Sequence, residues 1–291
     1  MTVKIEKLKT PRCEIGEGPI WDPATNRFYF IDMRGKKFFR FDPANGTLDA
    51  WDTPSYIGSF VLRKSGGAIL SLVDGLYAFD FDDGAITPFK SLPGLNDQVQ
   101  LNDGKADRRG RFIVGAAHAH FSKPLGDLYS VDTVGSVKVL DKGFCVSNGP
   151  CWAPDDKTFY FADSMKGEIY AYEYDIETGD VGERRLFAAT QDLGGFPDGA
   201  TVDADGLLWS AIPGGGVIAV YRPNGKLERT VEVPSKNPAS VTFGGENHDR
   251  LFVVTLDTSH FQPTPQADMD GYTFVIDGLG VKGLPEPYYA G

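Results

Sequence analysis

The chain has only three cysteines, Cys13, Cys145 and Cys151, and only four histidines, four methionines and four tryptophans in 291 residues. An odd, sparse cysteine count excludes a disulfide framework and fits a reducing cytoplasm, with the three thiols read as packing groups. No run approaches the ~18 uninterrupted apolar residues that a membrane-spanning helix needs. The opening MTVKIEKLKTPR is charged and has no apolar stretch, so it does not read as a secretory signal. Positive charge is also scarce: 29 Lys and Arg face 40 Asp and Glu, a net charge of −11, and no basic run offsets it. A field of that sign disfavours nucleic acid or an anionic membrane surface as a partner. There is no GxSxG elbow and no convincing Ser-His-Asp set, so covalent catalysis is not indicated.

Turn formers and core formers are plentiful. The 35 glycines and 19 prolines are poor material for long helices, while 41% apolar and 12% aromatic residues can bury a large core. One pattern recurs: an apolar stretch, a polar turn, then a strand-like run. It reads WDPATNRFYFID, LRKSGGAILSL, ADRRGRFIVGA, WAPDDKTFYFAD, VDADGLLWSA and TFGGENHDRLFVVT. The anchors Trp21, Leu62, Ala106, Trp152, Val202 and Thr242 fall roughly 40 to 50 residues apart, and each is followed by a second β-rich run such as KKFFRFD or GEIYAYEYD. Six such copies predict an all-β, six-bladed β-propeller forming a single domain over residues 1–291, with VKIEKL completing the last blade. Circular closure protects the sheet edges. A pair of β-sandwiches is the competing fold, and it does not require six copies in phase.

Four places before each anchor stand Glu17, Gly58, Asn102, Asn148, Asp198 and Pro238. Four of these carry side-chain oxygens in similar contexts, EGPIW, NDGKA, NGPCW and DGATV. On the innermost strand of a propeller blade, equivalent positions form a ring at one mouth of the channel. Glu17, Asn102, Asn148 and Asp198 are therefore expected to converge. Two carboxylates and two amide oxygens facing one another are hard donors suited to one divalent cation, Ca, Mg, Mn or Zn. Taken singly, each Asx-Gly pair reads better as a turn, and it is the four in register that favour the cation.

The motifs EIGEGPIWD, LNDGKAD, VSNGPCWAPDDKTFYFADS, FPDGATVDADGLLW and GLGVKGLPEP resemble the SMP-30/gluconolactonase/luciferin-regenerating enzyme family, in order, over residues 11 to about 288. The resemblance implies a six-bladed propeller with one divalent metal and, in many members, hydrolysis of an aldonolactone. It implies Glu17, Asn148 and Asp198 as metal ligands, with Asp198 also the general base. It implies Asn102 as a substrate contact, with Asp103 beside it.

Two departures concern the substrate. Gln100 stands where well-known sugar lactonases have an arginine, and the lid segment HAHFSKPLG has Ser122 near the position of a carboxylate found in some members. His118 and His120 are candidate substrate contacts, and a second metal site is a further reading of the pair. Lys123 is a candidate partner for an anionic substituent, against the plainer reading as a solvated lysine. The loops expected to border the site are His118 to Leu125, Ser164 to Gly167, Pro213 to Gly216 and Asp257 to Asp270.

The expected function is a cytoplasmic, metal-dependent lactonase that opens a small-molecule sugar lactone to the aldonic acid. Hydrolysis of another ester or phosphoester, and a non-catalytic Ca-binding propeller, are the alternatives. The substrate left open by Gln100 is a pentonolactone, a deoxy sugar or a hexonolactone substituted at carbon six, including one with an acidic substituent.

Overall fold

The structure, a computed structural model, describes residues 2–259 and 268–291. It consists of six antiparallel β-sheets whose innermost strands are Gly16–Asp22, Ile57–Leu62, Val99–Ala106, Ser147–Trp152, Ala200–Val202 and Pro238–Gly244. These define blades 1 to 6, and every sequence anchor lies on an innermost strand. Blade 6 takes its outermost strand from the other end of the chain: Lys4–Lys7 pairs with Phe274–Asp277. That closure fulfils the expectation for VKIEKL and joins the two ends into a ring. Among the described residues there is no α-helix, and no helix is long and apolar enough to cross a membrane.

The core is six apolar clusters, one between each pair of neighbouring blades. The strand Arg27–Asp32 shows how the sequence encodes this. Successive side chains on a strand point to opposite faces. Phe28 and Phe30 enter the cluster shared with blade 6, and Tyr29 and Ile31 enter the one shared with blade 2. Both faces are covered, so the strand reads as continuous FYFI with no polar alternation. Phe28 stacks on Phe252 across the ring closure at 4.8 Å, and Phe38 meets Phe60 across the next interface at 4.6 Å. Burying one such aromatic is worth ~1.5–3 kcal/mol.

The ring positions sit where the inner strands are irregular. The pairing register slips between Glu17 and Ile20, between Leu101 and Gly104, and between Asn148 and Cys151. A bulge re-aims the side chain at that point, and here it turns Glu17, Asn102 and Asn148 toward the channel. Gly18 and Gly149 take the left-handed conformation, φ 55° and 62°, which glycine adopts without strain.

Blade 2 carries Gly58 at the ring position for a packing reason. A Cβ there would lie 2.5 Å from the Leu101 carbonyl oxygen and 2.8 Å from that of Asn102, both main-chain atoms. Gly58→Ala is expected to cost ~1–3 kcal/mol through overpacking and to displace Asn102. Chemical denaturation of the variant checks it; a stability within error of wild type would contradict the close packing.

The far end of the channel is closed by the C-terminal segment. Gly283 N donates to the His248 carbonyl in blade 6 and Tyr289 N to that of Leu62 in blade 2, each at 2.8 Å. Ala290 N reaches the Gly110 carbonyl in blade 3, and the Tyr288 hydroxyl bonds Asp22 in blade 1. Among the described residues the three thiols are free. Cys13 and Cys151 are buried, and burial pushes Cys151 up to about 12.

Candidate active site at the channel mouth

Glu17, Asn102, Asn148 and Asp198, from blades 1, 3, 4 and 5, line one cavity of about 150 Å³ at the open mouth. Its upper wall is apolar, with Ile15, Met33, Val146 and Leu256 inside and Phe196 and Met165 at the rim.

The two amides are oriented by their neighbours. Ser164 Oγ donates to the Pro197 carbonyl at 2.7 Å and so accepts from Asn148 Nδ2 at 2.8 Å. This turns Asn148 Oδ1 toward the centre. Asn102 Nδ2 donates to the Ser147 carbonyl at 2.8 Å and to Asn148 Oδ1 at 3.1 Å. Asn102 Oδ1 receives no donor among the described residues, and Asn102 lines the cavity.

The two carboxylates are buried against each other. Glu17 accepts Gly18 N at 3.0 Å, and Asp198 is supported by Gly199 N. Burial first, then the negative charges of Asp198 and Asp103, raises Glu17 well above its ordinary value. Burial, then Asp103, raises Asp198 in the same way. No lysine, arginine or histidine offsets either acid among the described residues.

A donor set of two repelling carboxylates and two amide oxygens fits a hard divalent cation. Glu17, Asn148 and Asp198 would hold it. Among the described residues no three His, Cys, Asp or Glu side chains form a ligand group, so amide oxygen is an essential part of the set.

A pH dependence follows from the raised carboxyls. Between their ordinary values and the raised folded values, the folded protein binds more protons than the unfolded chain, so stability falls as pH rises. In chelator, the melting temperature is therefore expected to be highest near pH 5 and to drop toward pH 8. Added Ca²⁺ should remove that slope. A flat profile in chelator would mean that neither burial nor repulsion raises the two acids.

Other expected site residues are placed differently. Asp103 is turned beneath the ring: its carboxylate accepts Gly104 N at 2.7 Å and Gly149 N at 2.9 Å, tying blade 3 to blade 4. With both oxygens taken up by main-chain donors, it does not line the cavity. Gln100 does not line it either. It faces a separate depression formed by Val73, Asp74 and the 95–97 turn, between blades 2 and 3. His118 and His120 do not line the cavity; of their turn, Phe121 forms part of its wall.

Of the expected bordering loops, Ser164–Lys166 is a 3-10 turn contributing Ser164 and Met165. The Pro213 to Gly216 loop does not line the cavity; Gly214 N and the Gly215 carbonyl are engaged by Lys236 instead. Residues 260–267 of the Asp257 to Asp270 loop lie outside the described residues.

Two contributors were missed from sequence. Asp32 accepts Glu14 N and Ile15 N at 2.9 and 3.0 Å, and Asp163 accepts Cys145 N and Val146 N at 3.0 and 3.2 Å. Each pins the loop that enters a ring-bearing strand. The signal was present as the matching FYFID and FYFAD ends. Ser164, next to Asp163, lies in a loop expected to border the site, but its hydrogen bond with Asn148 was not foreseen.

A six-bladed propeller with carboxylate and amide oxygens gathered at one channel mouth defines the class. The chain belongs to the SMP-30/gluconolactonase/LRE-like family, matching its defining region over residues 15–257. Regucalcin of Gallus gallus is 33% identical over 100% of this chain and 99% of that protein. Among solved structures, a regucalcin of Agrobacterium tumefaciens described as a calcium-binding protein superposes with a TM-score of 0.91 at 26% identity, covering 97% of this chain and 96% of that one. A luciferin-regenerating enzyme gives 0.90 at 27%, covering 99% and 100%.

Proposed function

We propose that the protein is a metal-dependent lactonase that hydrolyses a sugar aldonolactone to the aldonic acid. One observation carries this reading: two buried carboxylates without a counter-charge among the described residues, joined by two oriented amides, at the floor of a cavity with room above them. A divalent cation bound there supplies Lewis-acid polarisation of a carbonyl oxygen. Asn102, whose Oδ1 is uncommitted, accepts a hydroxyl of the substrate. Asp198 takes the proton of the attacking water as its oxygen bonds to the carbonyl carbon. The ring C–O bond then breaks, and the proton passes to the departing oxygen. A positioned base of this kind is worth ~10²–10⁴-fold. The apolar upper wall excludes bulk water around the reacting carbonyl.

A second reading, a Ca-binding protein without catalysis, draws on the relative described as calcium-binding. The open space over the ring favours the enzyme, because a purely structural cation has no need of it.

The test is a pH-indicator assay across a panel of aldonolactones, with spontaneous opening subtracted, in the presence and absence of chelator. Chelator-sensitive acid release supports the lactonase. Cation binding with no turnover on any lactone selects the second reading.

A further inference from the structure

We propose that the turn His118–Lys123 is an anion-binding subsite, so that the lactone opened over the ring carries an oxyanion substituent (carboxylate, phosphate or sulfonate) remote from its carbonyl. This rests on the lactonase reading above.

The turn is a built feature. Phe121 has φ 54°, the left-handed region, which a bulky aromatic side chain rarely occupies. Such strain persists only where the surroundings enforce it, and it clusters at ligand sites. Phe121 N donates to the His118 carbonyl at 2.7 Å, and Ser122 N to His118 Nδ1 at 3.2 Å. This tight turn does two things at once. It sets the Phe121 ring into the cavity wall, and it brings the His118 and His120 rings edge to face at 5.7 Å, with Lys123 exposed two residues after Phe121.

The electrostatics point the same way. Residues 118–125, HAHFSKPL, contain no acid. Burial first, then the positive charges of Lys123 and His120, holds His118 below its ordinary value. In a chain of net charge −11, with two carboxylates on the cavity floor, a cationic group at the mouth is a local reversal of sign. A neutral sugar gains little from it, whereas an anionic one is both steered and held. The apolar walls do not discriminate, because most ligand cavities have them.

The experiment compares glucono-1,5-lactone with 6-phosphoglucono-1,5-lactone and glucaro-1,4-lactone, using wild type, Lys123→Ala and His120→Gln/Lys123→Ala. The charged lactones should have the higher kcat/KM in wild type. Lys123→Ala should lower it roughly fivefold, with glucono-1,5-lactone unchanged within about twofold, and the double variant should lower it on the order of tenfold. The preference should shrink from 50 mM to about 500 mM NaCl as exposed charges are screened.

Equal losses on charged and neutral lactones, or no preference in wild type, would overturn the subsite while leaving the lactonase intact. Titration calorimetry with 6-phosphogluconate against gluconate reads the subsite without hydrolysis. If no lactone is opened but 6-phosphogluconate binds more tightly and Lys123→Ala abolishes the difference, the subsite stands and the lactonase falls. If 6-phosphogluconate has no advantage either, both fall.

Discussion

Asp198→Ala is expected to reduce lactone turnover by a factor of about 10²–10⁴, with the loss in kcat. On the proposed mechanism the alanine removes both a cation ligand and the proton acceptor, so Asp198→Asn separates the two roles. The asparagine keeps an oxygen at the ring but cannot take up a proton. If the cation still binds, measured by calorimetry, and turnover is nonetheless lost, the base role is isolated. The same substitution has a second consequence. Burial and Asp103 hold the Asp198 carboxyl above its ordinary value, so the ionised form is disfavoured in the folded chain. Replacing it by a neutral amide should raise the melting temperature in chelator while abolishing activity. This is a trade between stability and function of the kind seen where an active site is strained. An Asp198→Asn variant that keeps turnover near that of wild type would end the case for Asp198 as base.

The ring was legible in the sequence because the propeller repeats. Glu17, Asn102, Asn148 and Asp198 occupy one phase of a six-fold pattern, and closure of the fold turns equal phase into proximity. Phe28 to Ile31 were legible as a strand for a related reason: burial on both faces leaves an unbroken apolar run.

What the repeat does not encode was not legible. Gln100 is two residues from Asn102, yet it faces the gap between blades 2 and 3, because its direction depends on the turn at 95–97 and on a bulge just after it. Asp103 reads as a site acid by adjacency, but two backbone N–H groups claim it. The left-handed backbone of Phe121 violates local preference, and no propensity argument finds it. Ser164 acts through a hydrogen bond chain, from Asn148 to Pro197, that exists only once blades 4 and 5 are assembled.

The contact least visible in sequence carries the second large prediction. Lys105 and Glu286 are 181 residues apart and meet at 2.9 Å inside the channel. Lys105 rises from blade 3, and its Nζ also donates to the Ala200 carbonyl in blade 5 at 3.0 Å, two residues beyond Asp198. Glu286 comes from the C-terminal segment, and its Oε1 also accepts from Thr201. Both side chains are almost wholly buried, so removing one strands the other charge in the interior. Lys105→Met is therefore expected to cost ~3–5 kcal/mol, or on the order of 10 °C in melting temperature. It should also lower kcat, because the strand after Asp198 loses its anchor.

Lys105→Met/Glu286→Leu removes both charges and should recover most of that stability, since a buried pair adds little over a well-packed apolar pair. The effect should be flat between pH 6 and 9. Despite the cost of burial, the charge of Glu286 raises Lys105 above its ordinary value. Its contribution is thus fully present below the ordinary lysine range and is lost only as pH rises through the raised folded value. A single variant as stable as wild type would mean that the pair does not close the channel. A double variant as unstable as the single would mean that Lys105 acts through Ala200 alone.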